Sequence, residues 1–188
     1  MSKQKGRIGF ILEKYFLKLY YGVDFNFKQN RRYDLPCNLN FNSYKNVSIK
    51  ASTTDTVMCG DIFNFLSSKN LEMLIIFYIV KNDEILVSRV FLIKNTELLF
   101  IYFNLRMKHL VLLTLYSYIR DLTPPYTPCK RYFYKFISKC LNTNNILKVN
   151  CKVSSTNKRI HCSFSFKNLC KVIKPVLLYE NLKIKIKK

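Results

Sequence analysis

Glu13, Asp34 and Lys50 in the run Val47-Ser48-Ile49-Lys50 are of the types that metal-dependent phosphodiester cleavage uses. Carboxylates can hold Mg²⁺, which polarises the phosphate and lowers the pKa of a bound water. A lysine beside them can orient that water and offset the charge that builds on phosphorus. Glu13 would ride on a helix, Asp34 would stand before a turn, and Lys50 would project from a strand. Plainer roles stand beside each of these. Glu13 fits a solvated helix face, and Asp34 before Leu-Pro fits a turn cap. Lys50 fits a solvated strand position, with Val47 and Ile49 turned to the other face.

Basic residues form a second set. Lys130-Arg131-Tyr132-Phe133-Tyr134-Lys135 interleaves cations with aromatics, and on a helix Arg131 and Lys135 share a face suited to phosphates. Ser154-Ser155-Thr156-Asn157-Lys158-Arg159 is a polar turn whose hydroxyls, amide and cations suit backbone or base-edge contact. The alternative is an apolar core under Phe133 and Tyr134 with the cations in solvent. The Lys-Ile-Lys end puts its lysines on one face if extended, or is a frayed tail.

The elements that must position these residues follow from periodicity. Apolar residues at 8, 11, 12, 15, 16 and 19 predict a helix over Ile8–Tyr21, ended by Gly22. Residues 23–46 read as loops and short strands, and Val47–Ala51 as a strand. A polar turn over 52–56 precedes Val57-Met58-Cys59, after which Gly60-Asp61 opens a short helix. Met73–Val80 is a continuous apolar run, followed by a turn and by Ile85–Ile93. This predicts a hairpin at the centre of a sheet, buried on both faces. Helices are expected over Lys108–Leu122 and Arg131–Leu141, and strands over Ile146–Val153 and Arg159–Phe166.

Composition bounds the function. The 188 residues carry 32 Lys+Arg against 11 Asp+Glu, a formal charge of +21, with 49% apolar residues. That supports a core and excludes a wholly disordered chain. Residues 122–188 hold 15 of the cations and one acid, Glu180, so two thirds of the excess lies in the last third. So high a charge repels itself unless an anion binds, which points to nucleic acid or an acidic membrane surface. AT-rich coding inflates lysine but does not explain the scarcity of acids. No basic amphipathic helix stands out, so the membrane surface ranks below nucleic acid. No apolar run reaches the roughly 20 residues that span a bilayer, and no signal peptide is expected. Seven scattered cysteines without a CxxC pair argue against structural zinc and for free thiols in a reducing, intracellular compartment.

Several short segments together resemble the PD-(D/E)XK restriction-endonuclease-like superfamily, in a divergent form found among proteins of large DNA viruses. They are Lys5-Gly6 with Glu13, Tyr33-Asp34-Leu35-Pro36, the stretch Asn46–Ile62, and Lys152–Ser163. The resemblance implies an α/β fold with a mixed central sheet flanked by helices. A nuclease-like core over 1–122 would carry a basic helix-plus-strand extension over 123–188. It implies Asp34 as the metal-binding acid, Lys50 as the motif lysine and Glu13 as the helix acid. Ser48 stands where the family pattern has Asp or Glu, and a hydroxyl is a poor Mg²⁺ ligand. Either Asp61 supplies the second carboxylate or the site no longer cuts. Asp61 equally suits a helix N-cap. The expected function is DNA binding, with Mg²⁺-dependent cleavage or its degenerate remnant. The expected partner is double-stranded DNA, held by Arg131, Lys135, Asn157, Lys158 and Arg159, and a homodimer is compatible. For a viral protein the compartment would be host cytoplasm or nucleus. The alternative is a non-catalytic nucleic-acid binder of ribosomal or packaging type.

Overall fold

The computed structural model describes residues 2–24, 34–67, 70–82, 84–94, 96, 109–121, 132, 135, 147–153 and 158–185. The chain is a mixed α/β protein with two sheets. Helix α1 (Ser2–Tyr21) leads through a 3₁₀ turn at Cys37–Leu39 to β1 (Asn46–Ser52) and β2 (Thr56–Asp61). Then come α2 (Ile62–Ser67), β3 (Leu71–Lys81), β4 (Glu84–Ile93) and α3 (His109–Asp121). The chain closes with β5 (Leu147–Val153), β6 (Lys158–Ser165), the single turn α4 (Phe166–Leu169) and β7 (Val176–Lys185). The first sheet has the order β1-β3-β4-β7, with β1 parallel to β3 and the other pairs antiparallel. The second is antiparallel, in the order β2-β6-β5.

The expected central hairpin is present. β3 and β4 occupy the two inner positions of the first sheet, and Lys81 pairs with Glu84 across a two-residue loop. Asn82 takes φ +50° there, the left-handed conformation that such a tight turn requires and asparagine tolerates. β3 reads as a continuous apolar run because both its faces are covered. Leu74, Ile76 and Tyr78 pack with Leu12, Phe16 and Leu17 of α1, while Met73 and Ile75 pack with Val149, Ile160, Cys162 and Phe164 of the second sheet. Each of these buried large side chains contributes about 1.5–3 kcal/mol relative to exposure. The buried stripe of α1 recurs at 8, 12 and 16, as the apolar spacing anticipates, and Gly22 ends the helix at φ +68°.

Strands from before and after residue 122 share both sheets. β7 hydrogen-bonds to β4, and β6 to β2. The Lys-Ile-Lys segment is thus strand up to Lys185, with Ile184 buried and paired with Ile85. The turn between β1 and β2 is tied to the far end of the chain. Asp55 accepts from Ser165 Oγ and, at 2.7 Å, from Lys167 N. Within the expected helix over 131–141, Tyr132 and Lys135 are helical, and the other residues lie outside those described. No helix among the described residues is long and apolar enough to cross a membrane.

Candidate functional site

Strand β1 is an edge of the first sheet, and Leu35 forms a short antiparallel bridge to Val47 along it. That bridge brings Asp34 beside the strand. Asp34 Oδ2 accepts from Ile49 N at 2.5 Å, so the carboxylate takes the place of a strand carbonyl along this edge. Ser48 Oγ lies 3.5 Å from the same oxygen, and Lys50 Nζ lies 3.8 Å from it. Val47 and Ile49 belong to the core against α1, so Ser48 and Lys50 alternate toward the second sheet. Ser48 is buried, and Asp34 and Lys50 keep 21% and 24% of their side-chain surface. Asp34 is thus brought from outside the strand to Ser48 and Lys50, two positions apart on β1.

Asp61 ends β2, the strand that follows β1. Its Oδ1 accepts from Phe63 N at 2.9 Å and from Asn64 N at 3.2 Å, which makes it the N-cap of α2. The charges of Asp61 and of Lys50 each reach the buried thiol of Cys162. That thiol is pushed well above its ordinary range, first by its hydrogen bond with Cys59, then by burial and the negative Asp61, against a downward pull from Lys50. Glu13 rides on α1, which packs against the opposite face of β1 from Lys50.

The residues do not fit a divalent-ion centre as the superfamily builds one. Mg²⁺ prefers six oxygens and binds through one or two carboxylates. Here one oxygen of Asp34 is held by an amide and faces an ammonium, the second family position is a hydroxyl, and Asp61 caps a helix. Among the described residues no group of three or more His, Cys, Asp or Glu converges as a metal site. What the set keeps partly open to solvent is the Lys50 ammonium, beside the Asp34 carboxylate.

Of the basic residues expected to hold nucleic acid, Lys135 and Arg159 are exposed. Lys158 donates to the carbonyl of Arg120 at 2.8 Å, placing a cation on the last turn of α3, where the helix dipole favours it. Arg131 and Asn157 lie outside the described residues.

One polar cluster has no counterpart in the sequence reading. Glu72, at the start of β3, is only 2% exposed. Its Oε1 accepts from Tyr21 OH at 2.9 Å and Asn40 Nδ2 at 3.1 Å, and its Oε2 from Ser43 Oγ at 2.9 Å. Burial, then the charge and hydrogen bond of Glu72, hold the Tyr21 phenol far above its usual range. An acid at the rim of an apolar strand was the available signal. No family model, curated protein or solved structure matches the chain.

Proposed function

We propose that the chain is a DNA-binding protein built on a degenerate restriction-endonuclease-like core, which grips the phosphate backbone and does not cut it. The observation that carries this reading is the state of Asp34. Its carboxylate is bound to Ile49 N and paired with Lys50, while Ser48 replaces the second acid. An ammonium beside one neutralised carboxylate favours a phosphate over a divalent cation. The formal charge of +21 supplies the long-range attraction, and exposed Lys135 and Arg159 add backbone contacts. Arg131 and Asn157 belong to the same proposal through their neighbours in sequence.

A second reading retains Mg²⁺-dependent endonuclease activity, with Asp61 as the moved carboxylate. Its support is the place of Asp61 at the end of β2, the strand that follows β1. The two readings separate in one experiment. Supercoiled plasmid is incubated with the protein in Mg²⁺ and in Mn²⁺, and retention of the same DNA is measured in parallel for wild type and Lys50→Ala. The binder retains plasmid without nicking it, and Lys50→Ala retains it less well. Nicking by the wild type that Lys50→Ala abolishes would establish the enzyme instead.

A further inference from the structure

The loop between the 3₁₀ turn and β1 is braced from below and bare on top. Asn40 is fully buried, and its Nδ2 donates to Ser43 Oγ, Lys45 O and Glu72 Oε1, while Asn42 Nδ2 reaches Tyr20 O on α1 at 2.9 Å. Tyr44 N donates to Asn40 O, and Asn70 Nδ2 holds Tyr44 O. Tyr44 takes φ +52°, a conformation uncommon for an aromatic residue and held here by these bonds. Yet Phe41 and Tyr44 are the two most exposed large apolar side chains among the described residues, each at 69%. A buried carboxylate is thus used to fix a turn that shows two aromatic rings to water. Such burial is costly unless fully bonded, so the rigidity it supplies is the feature to explain. A cation follows in sequence: Lys45 succeeds Tyr44, and its Nζ donates to the carbonyl of exposed Lys94 at 2.7 Å.

We propose that Phe41 and Tyr44 form a stacking platform for unpaired bases of a nucleic-acid strand whose phosphates meet Lys45 and, farther along β1, Lys50. The inference rests on the nucleic-acid reading above and deepens it, naming the target as DNA with a single-stranded segment beside a duplex. Aromatic faces take any base, and a pre-ordered loop avoids the entropy of arranging them on binding. Six residues separate Tyr44 from Lys50, a span of at most about 20 Å at the rise of a strand. That is about six nucleotides at the stacked spacing of roughly 3.4 Å. Overhangs, flaps and junctions offer such a segment; blunt duplex does not.

The test compares four fluorescein-labelled DNA probes by anisotropy. They are a blunt duplex, the same duplex with a ten-nucleotide overhang, that overhang made abasic, and the free single strand. Wild type, Phe41→Ala/Tyr44→Ala and the aromatic swap Phe41→Tyr/Tyr44→Phe are compared, each first shown by its thermal unfolding midpoint to fold like wild type. Wild type should prefer the base-bearing overhang to the abasic one. The double alanine variant should bind the overhang and the single strand about 5- to 150-fold more weakly. It should bind blunt duplex and abasic overhang within twofold of wild type, and the swap should behave as wild type. Equal losses on all four probes, or no loss on the overhang, would overturn the platform while leaving DNA binding intact. Failure of wild type to bind any probe would instead remove the DNA-binding reading beneath it.

Discussion

Replacing Glu72 by alanine perturbs the most demanding polar arrangement in the described structure, and its cost can be worked from the contacts. The change removes three charge-assisted hydrogen bonds and strands one donor with little access to water: Tyr21 OH, on a residue 6% exposed. Asn40 Nδ2 keeps Lys45 O and Ser43 Oγ for its two hydrogens, whereas no second bond to Tyr21 OH is present among the described residues. At about 1–3 kcal/mol for the buried donor left unsatisfied, and a smaller term for half-buried Ser43, the expected loss is about 1–4 kcal/mol. For a chain of this size that lowers the thermal midpoint by roughly 2–16 °C. Circular dichroism followed through urea and heat reads both quantities. Glu72→Gln keeps an acceptor toward Tyr21 and Asn40 and can donate to Ser43, so it should cost less than about 2 kcal/mol. Tyr21→Phe combined with Glu72→Ala should cost less than the two single changes added together, because the orphaned hydroxyl is gone. A loss under about 1 kcal/mol for Glu72→Ala would refute the reasoning, since it would mean the cluster is open to water.

Other consequences are equally specific. Asp34→Asn keeps an acceptor for Ile49 N and removes the counter-charge of Lys50. DNA binding should tighten about two- to fivefold by filter retention, from a Coulomb change of about 1 kcal/mol or less; a loss of binding or of metal-dependent activity would mark Asp34 as a metal ligand. Lys158→Met removes the cation from the Arg120 carbonyl and should cost about 0.3–1 kcal/mol in urea unfolding, most at low salt. Alkaline stability follows from Cys162 and Tyr21, whose protons are held above their ordinary values of 9.0 and 10.0, respectively. Both groups ionise sooner in the unfolded chain, so it binds fewer protons than the folded one and stability falls as pH rises above about 9. The slope reaches about 1.4 kcal/mol per pH unit per group. Cys162→Ala should flatten it between pH 9 and 10, read from urea midpoints across that range.

What the sequence made legible was local. The β3–β4 hairpin was readable because each strand is a contiguous apolar run and the turn between them is short. Helix α1 was readable from one apolar stripe and a terminal glycine. The place of Asp34 beside Lys50 was not written in any periodicity, since Asp34 meets β1 across the Leu35–Val47 bridge. The division into two sheets was not readable. It depends on β2 pairing with β6 and β4 with β7, partners separated by about a hundred residues, and on a register shift between Met58 and Gly60. Nothing in the local pattern of β2 selects a partner so far away. Glu72 escaped for a related reason: its partners Tyr21, Asn40 and Ser43 converge only once α1 and the loop before β1 are docked. Asp61 shows the reverse case, where the plain capping role written in the sequence is the one the backbone amides of Phe63 and Asn64 fulfil.

The central claim is that Lys50 meets a DNA phosphate beside a neutralised Asp34. It is tested most directly by the salt dependence of binding to one duplex with an overhang, measured for wild type and Lys50→Ala. The account predicts a steep linear fall of log K with log salt for the wild type, and a slope smaller in magnitude by about 0.7–0.9 for the variant, the loss of one phosphate contact. Identical slopes for the two proteins would contradict it.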